Sequence, residues 1–170
     1  DDKGNALDSA GVQTAGAIDD VFAAAASQTA LGVSWDGITP TLRVWAPTAR
    51  SMAAHIFKDA ATNDKVIVPI KLDEKSGVWS VTGDPDWKNK FYLLEVEVFS
   101  PRTGKVEKNL VTDPYSISLS ANSKRSQFAD LRDKTLKPDG WDALKKPALD
   151  RIEDIVLYEL HIRDFSIGDQ

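Results

Sequence analysis

Few kinds of group in this 170-residue chain could do chemistry: 26 acidic residues, two histidines and five tryptophans, with no cysteine. Without cysteine the chain has no disulfide, thiolate metal site or thiol nucleophile. A pair of carboxylates, one acid and one nucleophile or base, would serve hydrolysis. Glu95 and Glu97 lie at i, i+2, and the plain expectation for them is a solvated strand face. Most other acids fall in turns, so no residue is assigned a catalytic role. Two histidines make neither a metal cluster nor a convincing triad, and no metal ligand is assigned. His55 shares a strand face with Phe57 and reads as a surface or packing residue. His161, Arg163 and Asp164 close an apolar run at the end of a candidate strand. There they read either as a functional group or as an ion pair holding structure.

The indoles offer flat apolar faces of the kind that stack on sugar rings. Trp87 lies in the turn GDPDWKNK and is expected to be the freest. Trp79 and Trp45 lie on strand faces shared with apolar or long side chains, which suits inter-domain packing as well as binding. Trp87 and Trp79 are the substrate-binding candidates.

Short strands must position these groups. Leu42, Val44 and Ala46 alternate with Arg43 and Trp45; Pro47 stops that strand, and the alternation resumes at Met52, Ala54 and Ile56. Val66 to Leu72 reads as one strand, with Pro69 marking an edge position or a bulge. Tyr92, Leu94, Val96 and Val98 line one face of FYLLEVEVF, which ends at the turn SPRTG. About seven such strands between residues 31 and 112, spaced by turn signals, predict a mainly β, antiparallel sandwich.

Before them, residues 12–28 carry Ile18, Val21, Phe22 and Ala25 at helical spacing, predicting a short helix packed on a neighbouring module. Residues 1–11 read as a polar linker. After Val111, apolar residues such as Tyr115, Phe128 and Trp141 punctuate a polar segment, predicting an ordered connector. The unbroken run from Ile155 to Leu160 predicts a strand buried on both faces, as in a parallel sheet, so a second domain is expected to begin there. The expected boundaries are 1–29 for linker and helix, 30–112 for the sandwich, 113–150 for the connector and 151–170 for that second domain.

Composition narrows the function class. A formal net charge of −5 gives no support to nucleic-acid or anionic-membrane binding, and no apolar run approaches a membrane span. The start, DDKGNALDS, has neither a signal-peptide pattern nor an initiator Met, so a processed or excised chain is expected.

Seven motifs then agree in order: RVWAPTA (43–49), GVWSVTG (77–83), FYLLEVEVF (91–99), SPRTGKVEK (100–108), TDPYSISLSANS (112–123), LKPDGWD (136–142) and YELHIRDFS (158–166). Together they resemble the pullulanase and limit-dextrinase group of starch-debranching enzymes in the α-amylase superfamily. The resemblance implies an immunoglobulin-like, carbohydrate-binding-like sandwich followed by the first strand of a catalytic (β/α)8 barrel. It implies hydrolysis of α-1,6 linkages in pullulan, amylopectin and limit dextrins with retention. The catalytic Asp and Glu residues would lie on later barrel strands beyond Gln170, so the chain alone is expected to be inactive. The expected partners are an α-glucan and the remainder of the barrel.

The group often carries calcium, for which no ligand cluster is assigned here. Its members fit a secreted bacterial or a plastid setting. Glycogen-binding relatives use a Trp and Lys arrangement, and Leu93 stands near the expected Lys, which implies weak autonomous binding. The alternative is a stand-alone starch-binding or scaffolding module, which would have no use for the strand Ile155–Leu160.

Overall fold

The computed structural model describes Gly4 and residues 14–168. The expected linker, apart from Gly4, and the first two residues of the expected helix lie outside the described residues. The chain divides into two compact units that part between Arg132 and Asp133.

The first unit is an antiparallel, immunoglobulin-like sandwich. Strands β1 (Gly32–Asp36) and β2 (Thr39–Trp45) form a hairpin around the Asp36–Gly37 turn. Gly37 there adopts φ +55°, a conformation that costs glycine little. At Pro47 the chain leaves this sheet and enters the other as β3 (Ala49–Phe57). Strands β4 (Lys65–Pro69) and β5 (Lys71–Asp73) follow, then β6 (Val78–Thr82), β7 (Phe91–Ser100), β8 (Lys105–Val111) and the two-residue β9 (Ser126–Gln127). One sheet has the order β1-β2-β6-β5 and the other β4-β3-β7-β8, with β9 pairing the start of β7.

The segment expected as one strand from Val66 to Leu72 is two strands in different sheets. Pro69 cannot donate to a ladder. The next residue, Ile70, turns inward (5% exposed) and donates its N–H to the Met52 carbonyl at 2.9 Å, making a one-residue corner between the sheets. β4 is an edge strand, the position its proline demands.

The alternating faces meet in one core. Leu42, Val44 and Trp79 come from the first sheet, and Met52, Ala54, Ile56, Tyr92 and Leu94 from the second. Trp87 and Phe128 close it from the loops. Phe128 belongs to the segment expected as connector, and it reaches the core because β9 fastens that segment to β7.

Helix α1 (Ala15–Ala26) turns Ile18, Phe22, Ala25 and Ala26 inward at i, i+4, i+7 and i+8. Val21 lies off this stripe and is 66% exposed. The helix packs on the sandwich itself: a Cβ at Gly77 would stand 3.3 Å from Phe22 Cδ1 and 2.6 Å from Pro47 Cβ.

The second unit holds short 3-10 turns and one helical turn, α2 (Ile162–Ser166). The expected buried strand from Ile155 to Leu160 is not formed among the described residues. The segment is extended but has no ladder partner, and Val156 and Leu157 are 89% and 91% exposed. A parallel strand requires a neighbour reached through a crossover, and nothing described in this unit supplies one.

Candidate functional site

Two concave features stand out in the sandwich unit. Where β3 and β4 face the end of β6 and the turn Pro85–Trp87, the edge of the sandwich is open and leaves a groove of about 670 Å³. Its floor is apolar: Ile56, Val66, Val68 and Trp87. Ile56, Val66 and Tyr92 stand in register across three strands, so Val66 is a core-facing residue that the open edge leaves uncovered, at 66% exposed. The rim carries three carboxylates (Asp64, Asp84, Asp86) and three ammonium groups (Lys58, Lys65, Lys90). Lys90 Nζ lies 2.7 Å from Asp86 Oδ2.

Trp87 is not the free turn residue that the sequence suggests; only 7% of it is exposed. The Trp87 N–H donates to the Asp84 carbonyl at 3.0 Å, closing a 3-10 turn that folds the indole down. It lands against Gly83, whose missing Cβ would stand 2.1 Å from Trp87 Cε3, and against Phe128 at 5.1 Å between ring centroids. Among the described residues the indole N–H of Trp87 has no acceptor, whereas those of Trp35, Trp45 and Trp79 donate to the carbonyls of Ala129, Ser76 and Ala46.

Trp79, the other sugar-stacking candidate, is 6% exposed. It pairs with Val44 on the core face, while Trp45 pairs with Val78 on the outer face, so the two indoles point to opposite sides of the sheet. The structure thus brings Trp87 to a groove and keeps Trp79 in the core.

A second pocket of about 680 Å³ lies over the outside of the second sheet, among Leu93, Asn63, Asn122, Lys124 and Arg125. Arg125 is held there over the Phe57 ring at 3.8 Å, and its Nη1 donates to the Asp59 carbonyl at 2.9 Å. Backbone N–H groups of Thr62 and Ala61 hold the Asp59 carboxyl below its usual range. On the same outer face, His55 Nε2 meets Glu95 Oε2 at 3.1 Å, Lys108 reaches Glu95, and Ser51 donates to Glu97. These two glutamates are tied to neighbours rather than facing each other across a cleft. His55 is buried, and its Nδ1 has no partner.

Beneath this face lies a buried polar latch that sequence reasoning missed. Tyr92 Oη donates to Asp113 Oδ2 at 2.7 Å, and the Tyr115 N–H donates to Asp113 Oδ1 at 2.8 Å. The Asp113 N–H in turn donates to Ser126 Oγ at 2.9 Å. Burial raises the Asp113 carboxyl above its ordinary range, with the two donated hydrogen bonds pulling the other way. Burial, and then the Asp113 charge, push the Tyr92 phenol up. The signal in the sequence was an aspartate two residues past a strand and two residues before a tyrosine.

His161, Arg163 and Asp164 lie at the start of the single turn α2 rather than at a strand end. Asp164 sits 3.6 Å from His161 Nδ1 and 3.1 Å from Arg163 Nη2, with all three side chains more than 60% exposed. Such solvent-exposed pairs contribute about 0–1 kcal/mol, so the geometry gives them an ion-pair role. Among the described residues, no group of three or more His, Cys, Asp or Glu side chains is placed to hold a metal ion. No helix of the described residues is long and apolar enough to cross a membrane.

Comparison with known proteins gives concordant results. Residues 30–116 match the family model for carbohydrate-binding module 48, the isoamylase N-terminal domain. The chain is 42% identical over 166 residues to a pullulanase of Klebsiella pneumoniae, covering 94% of this chain and 15% of that protein. It is 36% identical over 173 residues to the chloroplastic pullulanase 1 of Arabidopsis thaliana, covering 100% of this chain and 17% of that one. Among solved structures, Klebsiella pneumoniae pullulanase complexed with maltotriose matches with a TM-score of 0.74 and 44% identity, over 79% of this chain and 13% of that one. The chain thus spans less than a fifth of each of these relatives.

Proposed function

The chain belongs to the carbohydrate-binding module 48 family, and we propose that it is the N-terminal portion of an α-1,6-glucan debranching glycoside hydrolase. One observation carries this reading. The similarity to pullulanases runs on past the sandwich, through the residues where apolar side chains lie uncovered. In the parent protein, the run from Ile155 to Leu160 becomes the first strand of a (β/α)8 barrel, buried on both faces by the strands and helices that follow. The expected divisions at residues 29, 112 and 150 then separate helix, sandwich, connector and barrel, with the latch at Asp113 fastening the connector to the sandwich.

On this reading the two carboxylates that cleave the glycosidic bond come from the rest of the barrel. His161, Arg163 and Asp164 serve the barrel mouth, and no calcium ligand is assigned in this chain. The substrate is a starch-type α-glucan, reached in a plastid or outside a bacterial cell. The test is release of reducing ends from pullulan: the parent protein hydrolyses it, and the purified 170-residue chain releases none. Hydrolysis by the chain alone, or none by the parent, would overturn the proposal.

A further inference from the structure

The groove beside Trp87 combines features that select a particular ligand, and we propose that it binds the end of a neutral α-linked gluco-oligosaccharide. This rests on the reading of the parent as an α-glucan enzyme. It assigns the contact to the open edge of the sandwich rather than to the pocket over Leu93 on the outer face.

The floor offers the uncovered side chain of Val66 beside Val68 and Ile56, an apolar surface suited to the C–H face of a sugar ring. Trp87 is more than nine-tenths buried, yet among the described residues its indole N–H has no protein acceptor, whereas those of Trp35, Trp45 and Trp79 have theirs. The nitrogen keeps contact with solvent, and a sugar hydroxyl oxygen can take the place of water as its acceptor. The rim sets three carboxylates against three ammonium groups, so an anion or a cation would meet as many like charges as opposite ones. A hydroxyl both donates and accepts, and can therefore bond to either kind of rim group without carrying charge. At about 670 Å³ the groove falls within the range of small-ligand sites. An extended peptide adding to the free edge of β4 is a poorer fit, because the strand is five residues long and ends in Pro69, which has no N–H.

The test is an NMR titration of the isotopically labelled 170-residue chain with maltoheptaose. The expected result is saturable shifts of the Trp87 indole N–H and of the Val66 and Gly83 amides, with an affinity unaffected by added salt. Val66→Arg, at an exposed position that the fold tolerates, fills the floor and weakens binding at least about tenfold. Trp87→Phe keeps the ring packing and lowers the affinity by removing the donor, whereas Leu93→Ala leaves it unchanged. Saturable shifts confined to Leu93, Asn122 and Arg125 would overturn the groove while leaving the debranching reading intact. So would silence in the groove when the parent hydrolyses pullulan, or binding abolished by salt. A parent inactive on pullulan would instead bring down the debranching reading itself.

Discussion

Gly83 decides where Trp87 goes. The indole lies so close to its backbone that a methyl group there would stand 2.1 Å from Trp87 Cε3, closer than side chains pack, so the ring must move off Phe128. Gly83→Ala is therefore expected to destabilise the sandwich by about 1–3 kcal/mol, read as a lower urea midpoint at unchanged m-value. Asp113 gives the residue scale a pH signature. Its native carboxyl titrates above the ordinary value of 3.8 because it is buried, so the folded state holds the proton more tightly than the unfolded state. Stability from this group is fully present below 3.8 and falls as pH rises through the native value. Asp113→Asn removes that decline, so the variant should gain on the wild type as pH rises across the acid range. A difference between the two that is constant with pH would refute the assignment. None of this was legible beforehand. Trp87 looked free because its burial depends on Phe128, 41 positions away, and Asp113 looked like one more turn aspartate.

At the scale of elements the sequence spoke more clearly. Alternation at Leu42 and Val44 and at Tyr92 and Leu94 identified the buried faces, because a half-buried strand must repeat with period two. Pro69 marked an edge strand for the reason prolines usually do. The split of β4 from β5 was hidden, since a one-residue corner at Ile70 leaves the alternation Val66, Val68, Ile70, Leu72 unbroken. The rim charges of the groove were hidden as well. Apart from Lys65 at the start of β4, they come from two turns, KDAATND and GDPDWKNK, that read separately as surface loops. Helix α1 was legible as a helix but not as to what it packs on. Phe22 is its main anchor, reaching Gly77 on the sandwich. Phe22→Ala should cost about 1 kcal/mol of local stability, seen as faster amide exchange in α1 with the exchange of β7 unchanged. Equal acceleration in β7 would mean that the helix is part of the cooperative core.

The whole molecule joins a self-sufficient unit to one that is not. The sandwich has its own core, a latch at Asp113 and a covering helix. The unit beginning at Asp133 exposes Ile152, Val156, Leu157, Ile162 and Phe165, each at 66% or more. Apolar surface of that kind draws a partner or self-associates. The apolar run reads as a strand that needs burial, and among the described residues no ladder forms around it, because a ladder depends on neighbours that the run itself does not encode. If the sandwich stands alone while residues 151–168 need the rest of a larger protein to complete their domain, sedimentation of the 170-residue chain beside a chain truncated after Arg132 separates the two units. The longer chain should self-associate as its concentration rises, and the shorter should stay monomeric with an unchanged thermal unfolding midpoint. A longer chain that stays monomeric at high concentration, or a shorter one that unfolds at markedly lower temperature, would contradict that division.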